Sequence, residues 1–324
     1  MQNTDVTALG ELLIDFIQNG ESDQGNPLFE ANPGGAPCNV LAMLTRLGRR
    51  TQFIGKVGRD RFGRQLKREL EHMGIGTAGL IEDAKIPTTL ALVHKLQNGD
   101  RDFSFYRNPG ADMMLASGEV DFGLIEKSKI FHYGSLSMTD GPSREAAKRA
   151  IETAGKAGLL RSFDPNLRPP LWNSEDEAKK QIRYGLAHCD ILKISDNEIQ
   201  WLTGLEDFTD GVRELKKHYD IRLICVSMGK DGSRAYYDGI MVEVPGFIQE
   251  GTVETTGAGD TFCGCVLHFV LEYGLDNLDE GKIREMLTFA NAAASLITTR
   301  KGALKVMPER EEIEALISAR KAGK

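Results

Sequence analysis

Six short apolar runs, at residues 6–16, 52–57, 129–133, 159–163, 190–194 and 221–227, alternate along this chain with stretches whose apolar residues recur at helical spacing. Runs of this length bounded by turn residues read as strands, and strands that alternate with helices are joined by crossovers. Such alternation implies a mostly parallel sheet covered by helices. After Asp60, for example, Phe62, Leu66, Leu70 and Met73 fall at i, i+4, i+8 and i+11, one apolar stripe of a helix. Similar patterns follow Pro142, Ser174, Asp207, Gly259 and Gly281. With 324 residues and 41% hydrophobic content, the chain can bury a substantial core.

One region departs from the alternation. Residues 88–96 and 101–107 read as two strands joined around Asn98-Gly99, a two-residue hairpin signal. The irregular, polar stretch 18–32 is a second candidate for the same small antiparallel layer. No low-complexity linker or internal repeat divides the chain, so the expectation is one domain over residues 1–324 with lid segments near 16–32 and 87–108.

The five cysteines include no C-x-x-C pair, and Cys263-x-Cys265 places two thiols on diverging helix positions, which suits packing better than metal binding. A net charge of −7 with dispersed lysines and arginines excludes a phosphate-tracking nucleic-acid face. No run of 18 apolar residues occurs, and Met1-Gln2-Asn3-Thr4-Asp5 lacks the basic and apolar regions of a signal peptide. A cytoplasmic protein without membrane or nucleic-acid partners is expected.

Chemistry concentrates in Val253-Glu254-Thr255-Thr256-Gly257-Ala258-Gly259-Asp260-Thr261-Phe262. Two glycines and a carboxylate at a helix start combine backbone N–H groups that face an anion with a base beside them, the parts phosphoryl transfer needs. Phe262 occupies the third glycine of a G-x-G-x-x-G pattern, which disfavours dinucleotide binding, and no G-x-x-x-x-G-K-S/T is present. A helix start should also depress the pKa of Asp260. Asp15, Asp164 and the stretch from Ser195 to Glu198 each close an apolar run, the strand-end address where open α/β sheets bind ligands.

Two further segments carry a resemblance. Asn32-Pro33-Gly34-Gly35-Ala36-Pro37-Cys38-Asn39-Val40, continuing through Gly55-Lys56-Val57-Gly58-Arg59-Asp60, resembles the N-terminal signature of the ribokinase-like (PfkB) sugar kinases, and the glycine-rich segment around Asp260 resembles their C-terminal signature. Asp164-Pro165-Asn166-Leu167-Arg168-Pro169-Pro170 is similar to the fructokinase branch, as is the Gly35-Ala36-Pro37 form of the first motif. The resemblance spans nearly the whole chain and implies a three-layer ribokinase-like sandwich with a β lid.

It also implies roles. Asp260 is the catalytic base, and Gly257, Ala258 and Gly259 form the anion hole. Asp15, Gly34, Gly35 and Asn39 hold the sugar, with Arg107 and Arg168 reaching it or ordering the crevice. Ser195, Ser227, Gly229, Gly232 and Asn291 contact ATP, and Glu198 organises Mg²⁺ through water. Glu254 stands where the family commonly has aspartate, and with Thr256 it flanks a monovalent-cation site. The extra methylene moves the carboxylate by about 1.5 Å, which leaves activation by K⁺ open.

The reaction implied is transfer of the ATP γ-phosphate to the 6-hydroxyl of D-fructose. Kinases of 2-keto-3-deoxygluconate or aminoimidazole riboside share the scaffold, and a non-catalytic sugar-responsive module is the reading from another class. The apolar lid residues Leu90, Leu92, Phe103 and Phe105 lead to the expectation of a homodimer, lid against lid.

Overall fold

The computed structural model describes residues 4–95 and 101–322. In chain order its strands are β1 (Thr4–Leu9), β2 (Leu13–Glu21), β3 (Pro27–Gly34), β4 (Thr51–Gly58), β5 (Gly76–Asp83), β6 (Leu90–Lys95), β7 (Arg101–Tyr106), β8 (Ser128–Gly134), β9 (Leu160–Asp164), β10 (Ile191–Ser195), β11 (Leu223–Ser227), β12 (Ser233–Tyr237) and β13 (Ile240–Val244). The α-helices are α1 (Ala36–Arg46), α2 (Arg61–His72), α3 (Phe122–Glu126), α4 (Gly141–Lys156), α5 (Glu175–Ala187), α6 (Asp196–Thr203), α7 (Phe208–His218), α8 (Ala258–Tyr273), α9 (Glu280–Ile297) and α10 (Arg310–Ala322).

Nine strands form the central sheet in the order β13-β12-β11-β10-β9-β8-β1-β4-β5. Every pairing from β11 to β5 is parallel, and only β12, paired antiparallel with both β11 and β13, runs the other way at one edge. Successive strand residues face opposite sides, so Ile130 and Ile191 enter one apolar cluster while Phe131 and Leu192 enter the other. The first cluster packs against α1, α8 and α9, the second against α4, α5 and α7. This three-layer arrangement is the one the alternation dictates. All five cysteines are free and buried, in keeping with a packing role.

The run at 6–16 is two strands and not one. The chain leaves the central sheet after Leu9, crosses Gly10 and Glu11, and enters β2 of a second sheet. The crossing is tight, since a Cβ on Gly10 would lie 2.4 Å from Pro37 Cγ. Asp15 therefore sits inside a lid strand, not at the end of the first core strand. The strand order also reverses at β1, whose neighbours are β4 and β8, so the lid departs from the switch point of the sheet.

The lid has four strands in the order β3-β2-β6-β7. Its outer pairings are antiparallel, as expected, and its middle pairing, β2 with β6, is parallel because the two hairpins enter the layer in the same direction. The Asn98-Gly99 turn lies outside the described residues. No helix among the described residues is long and apolar enough to cross a membrane.

Candidate active site

The carboxyl ends of β1, β9, β10 and β11 open onto one crevice roofed by the lid. A cavity of about 490 Å³ lies between them, walled by Glu11, Asp15, Gly35, Asn39, Arg168 and Asp260 among others. A second, of about 340 Å³, runs along Ser227, Gly229, Gly232, Phe247 and Asn291. A third, of about 580 Å³, contains Asn166, Ser195 and Glu198. Gly259 borders all three, which makes the start of α8 their junction.

Helix α8 is preceded by its N-cap Gly257, whose φ of 80° is the left-handed conformation that glycine adopts freely. A Cβ there would also approach Ala303 Cβ to 2.6 Å. No side chain caps this helix, so its first turn presents backbone N–H groups to a ligand. Ala258 contributes least, because its N–H turns back to Thr255 O at 3.3 Å. Asp260 follows in the same turn and accepts a hydrogen bond from Asn39 Nδ2 at 2.8 Å.

Burial raises the pKa of Asp260, against the lowering by Asn39, Lys193 and Arg168. The expected depression by the helix start is thus outweighed by desolvation. A carboxylate with a raised pKa is a better proton acceptor than an ordinary one.

Asn39 is almost wholly buried, and its Oδ1 has no hydrogen-bond partner. An unpaired acceptor on a residue that lines a cavity is a candidate partner for a ligand hydroxyl. Gly34 is needed beside it for space, as a Cβ would fall 2.3 Å from Asp15 Oδ2. Gly35 is needed for conformation as well: its φ is 134°, and a Cβ would meet Glu11 O at 2.3 Å. Burial pushes Asp15 up to about 7, with Arg168 opposing the shift and Glu254 and Asp260 adding to it.

Arg107 does not reach the sugar cavity. It is buried, donates from Nε to Asp112 Oδ2 at 2.8 Å, and donates further to Thr139 Oγ1 and Leu136 O. A guanidinium tied up in this way positions Leu136, which does line the cavity, and is not itself a ligand group. Arg168, by contrast, is exposed at the rim of the first and third cavities.

Ser195 caps α6 and Glu198 completes a capping box. Glu198 Oε2 accepts from Ser195 N at 2.9 Å, and Oε1 accepts from Leu167 N at 2.7 Å. These bonds fix the carboxylate in the third cavity with lone pairs remaining. No group of three or more His, Cys, Asp or Glu among the described residues could cage a metal ion directly, so a divalent cation at Glu198 would be held through water.

On the nucleotide side Gly232 has φ 106°, and a Cβ there would lie 2.2 Å from Val244 O. Asn291 lines the cavity while its Nδ2 donates to Val244 O at 3.0 Å. Glu254 is buried and accepts from Thr256 Oγ1 at 2.6 Å and from Gly302 N at 3.0 Å, so the two candidate cation ligands do come together.

Two acidic or basic groups escaped the sequence reading. Glu11 lies in the floor of the sugar cavity, accepts from Ala36 N at 2.9 Å, and is pushed by burial up to about 7. Lys193 projects from β10 to within 3.0 Å of Asp164 Oδ2, almost fully buried. The signal for it was a lysine inside an apolar, two-sided strand, a place where a charge needs a reason.

The model of the pfkB family carbohydrate kinases matches residues 3–310 of this chain. Fructokinase-2 of Solanum habrochaites is 41% identical over 314 residues, covering 96% of this chain and 95% of that one. Among solved structures, the ATP-bound fructokinase of Xylella fastidiosa superposes with a TM-score of 0.90 at 30% identity, covering 99% of this chain and 100% of the other. A fructokinase double mutant of Vibrio cholerae O395 in a fructose-, ADP- and potassium-bound form gives 0.87 at 28% identity, with coverage of 98% and 99%.

Proposed function

The chain belongs to the pfkB family of carbohydrate kinases, and on that premise we propose that it is an ATP-dependent fructokinase phosphorylating the 6-hydroxyl of D-fructose. The observation that carries this reading is the junction at Gly259, where a cavity lined by Glu11, Asp15 and Asn39 meets one lined by glycines, hydroxyls and Asn291, with the half-buried carboxylate of Asp260 beside it. Asp15 and Oδ1 of Asn39 accept hydrogen bonds from sugar hydroxyls that keep their protons. Asp260 accepts the proton of the reacting hydroxyl as its oxygen bonds to the γ-phosphorus. The bond from that phosphorus to the β-phosphate oxygen breaks, and ADP leaves with the electron pair.

Backbone N–H groups at the start of α8 receive the charge on the transferring phosphoryl group, an arrangement that needs no reorganisation during reaction. The residues present fit a divalent cation: Glu198 is fixed and carries no other charge partner within its capping box, and bound Mg²⁺ would neutralise the nucleotide phosphates. The lid strands supply Leu13, Asp15, Val93 and Phe105 to the sugar cavity, so closure over fructose would exclude water as a competing acceptor. Of the lid residues expected at a homodimer surface, Leu90 packs against the core and Phe105 lines the sugar cavity, so we assign the homodimer instead to the exposed lid residues Leu28 and Tyr106, and a monomeric mass at micromolar concentration would refute that assignment.

ADP release with Mg²⁺-ATP and a panel of fructose, 2-keto-3-deoxygluconate, aminoimidazole riboside, ribose and glucose tests the function. Fructose-dependent release is expected to fall by about 10³-fold or more in Asp260→Ala, the scale of losing a proton acceptor together with its positioning. Preference for another sugar would overturn the fructose reading, and turnover surviving in Asp260→Ala would overturn the assignment of the base.

A further inference from the structure

We infer that Lys193 is a catalytic residue that binds the transferring phosphoryl group, with Asp164 as the residue that positions it. The inference rests on the kinase reading above and adds to it a side chain outside the glycine-rich and Glu198 motifs.

Three observations place the ammonium at the point of transfer. Lys193 lines both the sugar cavity and the cavity that holds Glu198. Its Nζ lies 2.9 Å from where a Cβ on Gly259 would be, so the missing side chain of Gly259 is the space the ammonium faces. It stands 3.0 Å from Asp164 Oδ2, which pairs it in charge and engages at most one of its three N–H groups, leaving the others for a ligand. β9 and β10 pair in parallel with Leu192 beside Phe163, which sets Lys193 and Asp164 side by side at the strand ends.

Charge accounting leads to the same residue. The two cavities are lined by Glu11, Asp15, Asp196, Glu198 and Asp260, and Asp164 lies buried behind them. The cations among their lining residues are Arg168, exposed at the rim, and Lys193, buried at the junction. A nucleotide triphosphate entering so acidic a crevice is repelled unless positive charge meets it: a divalent cation at Glu198 would screen its phosphates and Lys230 stands exposed in the nucleotide cavity, but at the junction itself the fixed buried charge is that of Lys193. Lys193 supplies that charge, and it stays protonated because Asp164, Glu198 and Asp260 surround it. During transfer, charge gathers on the equatorial oxygens of the phosphoryl group as the bond to ADP breaks and the bond to the sugar oxygen forms. A preorganised ammonium beside those oxygens lowers the barrier more than it strengthens ground-state binding.

The alternative is that Lys193 serves only to neutralise a buried Asp164. In that case replacing both members by neutral groups of similar size should cost little, as buried ion pairs commonly tolerate. The test compares Lys193→Met with the double variant Lys193→Met/Asp164→Asn, which removes both charges and guards against misfolding of the single variant. Turnover, fructose affinity, melting temperature, and the binding of ADP and of a non-hydrolysable ATP analogue without sugar are measured.

Both variants are expected to lose on the order of 100-fold or more in kcat, the scale of removing one donor to a transition-state anion. Fructose affinity should change by less than about threefold, and the preference for the triphosphate analogue over ADP should shrink by about tenfold, a single charge-assisted contact. Retention of kcat within about threefold by a folded double variant, or an unchanged preference for the triphosphate, would overturn the proposal. Wild-type protein that fails to phosphorylate fructose would refute the sugar assignment alone, because the nucleotide-binding comparison needs no sugar and still decides the role of Lys193.

Discussion

Around Asp15, Asn39 and Glu11 the crevice is walled by side chains that carry charge or hydrogen-bonding groups, Glu11 and Asn39 buried and Asp15 half-buried. Around Gly229 and Gly232 it is walled mostly by glycines, hydroxyls and small or apolar residues, with Lys230, Gln249 and Asn291 as its longer polar side chains and no carboxylate. The sugar end recognises with groups that must be present, and the nucleotide end recognises with atoms that must be absent. Substitution should therefore damage the first by deletion and the second by addition, and the two kinds of damage should appear in different kinetic constants.

Asn39→Ala is the larger break. It removes the donor to Asp260 and leaves the sugar without the buried Oδ1 acceptor. Losing two hydrogen bonds, one to a carboxylate, should lower kcat/KM for fructose by about 100-fold. The KM for ATP should stay within about twofold. An ATP effect as large as the fructose effect would show that the two ends are not separable.

Gly232→Ala tests the other end. The residue has φ 106°, and its new Cβ would lie 2.2 Å from Val244 O and 2.5 Å from Gly246 N. Strain of about 1–3 kcal/mol must be relieved by moving the 245–246 turn, next to Phe247 in the nucleotide wall. The expected result is an ATP KM raised by about tenfold with fructose affinity unchanged. A loss confined to kcat would contradict the division.

The same division explains what could be read without coordinates. Elements that depend on local periodicity were legible: the stripe Phe62, Leu66, Leu70 and Met73 is the inner face of α2 and its flanks, and the apolar runs at 129–133 and 190–194 lie in β8 and β10. Glycines whose neighbours form a pattern, such as Gly257 and Gly259, announced the nucleotide end. What was not legible depends on which strand lies beside which. The break at Gly10 that puts Asp15 in the lid needs Pro37 packed against it, and the Lys193 and Asp164 pair needs β9 beside β10. Which of its two expected roles Arg107 fills, reaching the sugar or ordering the crevice, was hidden for the same reason: its partner Asp112 is only five residues away in sequence, but Thr139 and Leu136 become its acceptors only when the chain folds back.

The smallest effect lies in pH. Burial holds Glu11 and Asp15 at about 7 in the folded chain, against ordinary values of 4.5 and 3.8. Between those limits the folded state binds more protons than the unfolded one, so each rise in pH lowers stability. The stabilising contribution of the bound protons is fully present below about pH 4 and is lost as pH passes through about 7. Ligand-free protein should accordingly melt at lower temperature at pH 7.5 than at pH 5.5. Glu11→Gln removes one titrating group while keeping a side chain of the same shape, so it should flatten that slope, whereas Gly232→Ala should lower both melting temperatures equally. Fructose should flatten the slope as well, because hydroxyls donating to Asp15 favour its ionised form and bring its pKa down. Parallel slopes in wild type and Glu11→Gln, with or without sugar, would mean that the acids of the sugar end are not held in the buried, proton-binding state on which the contrast between the two ends depends.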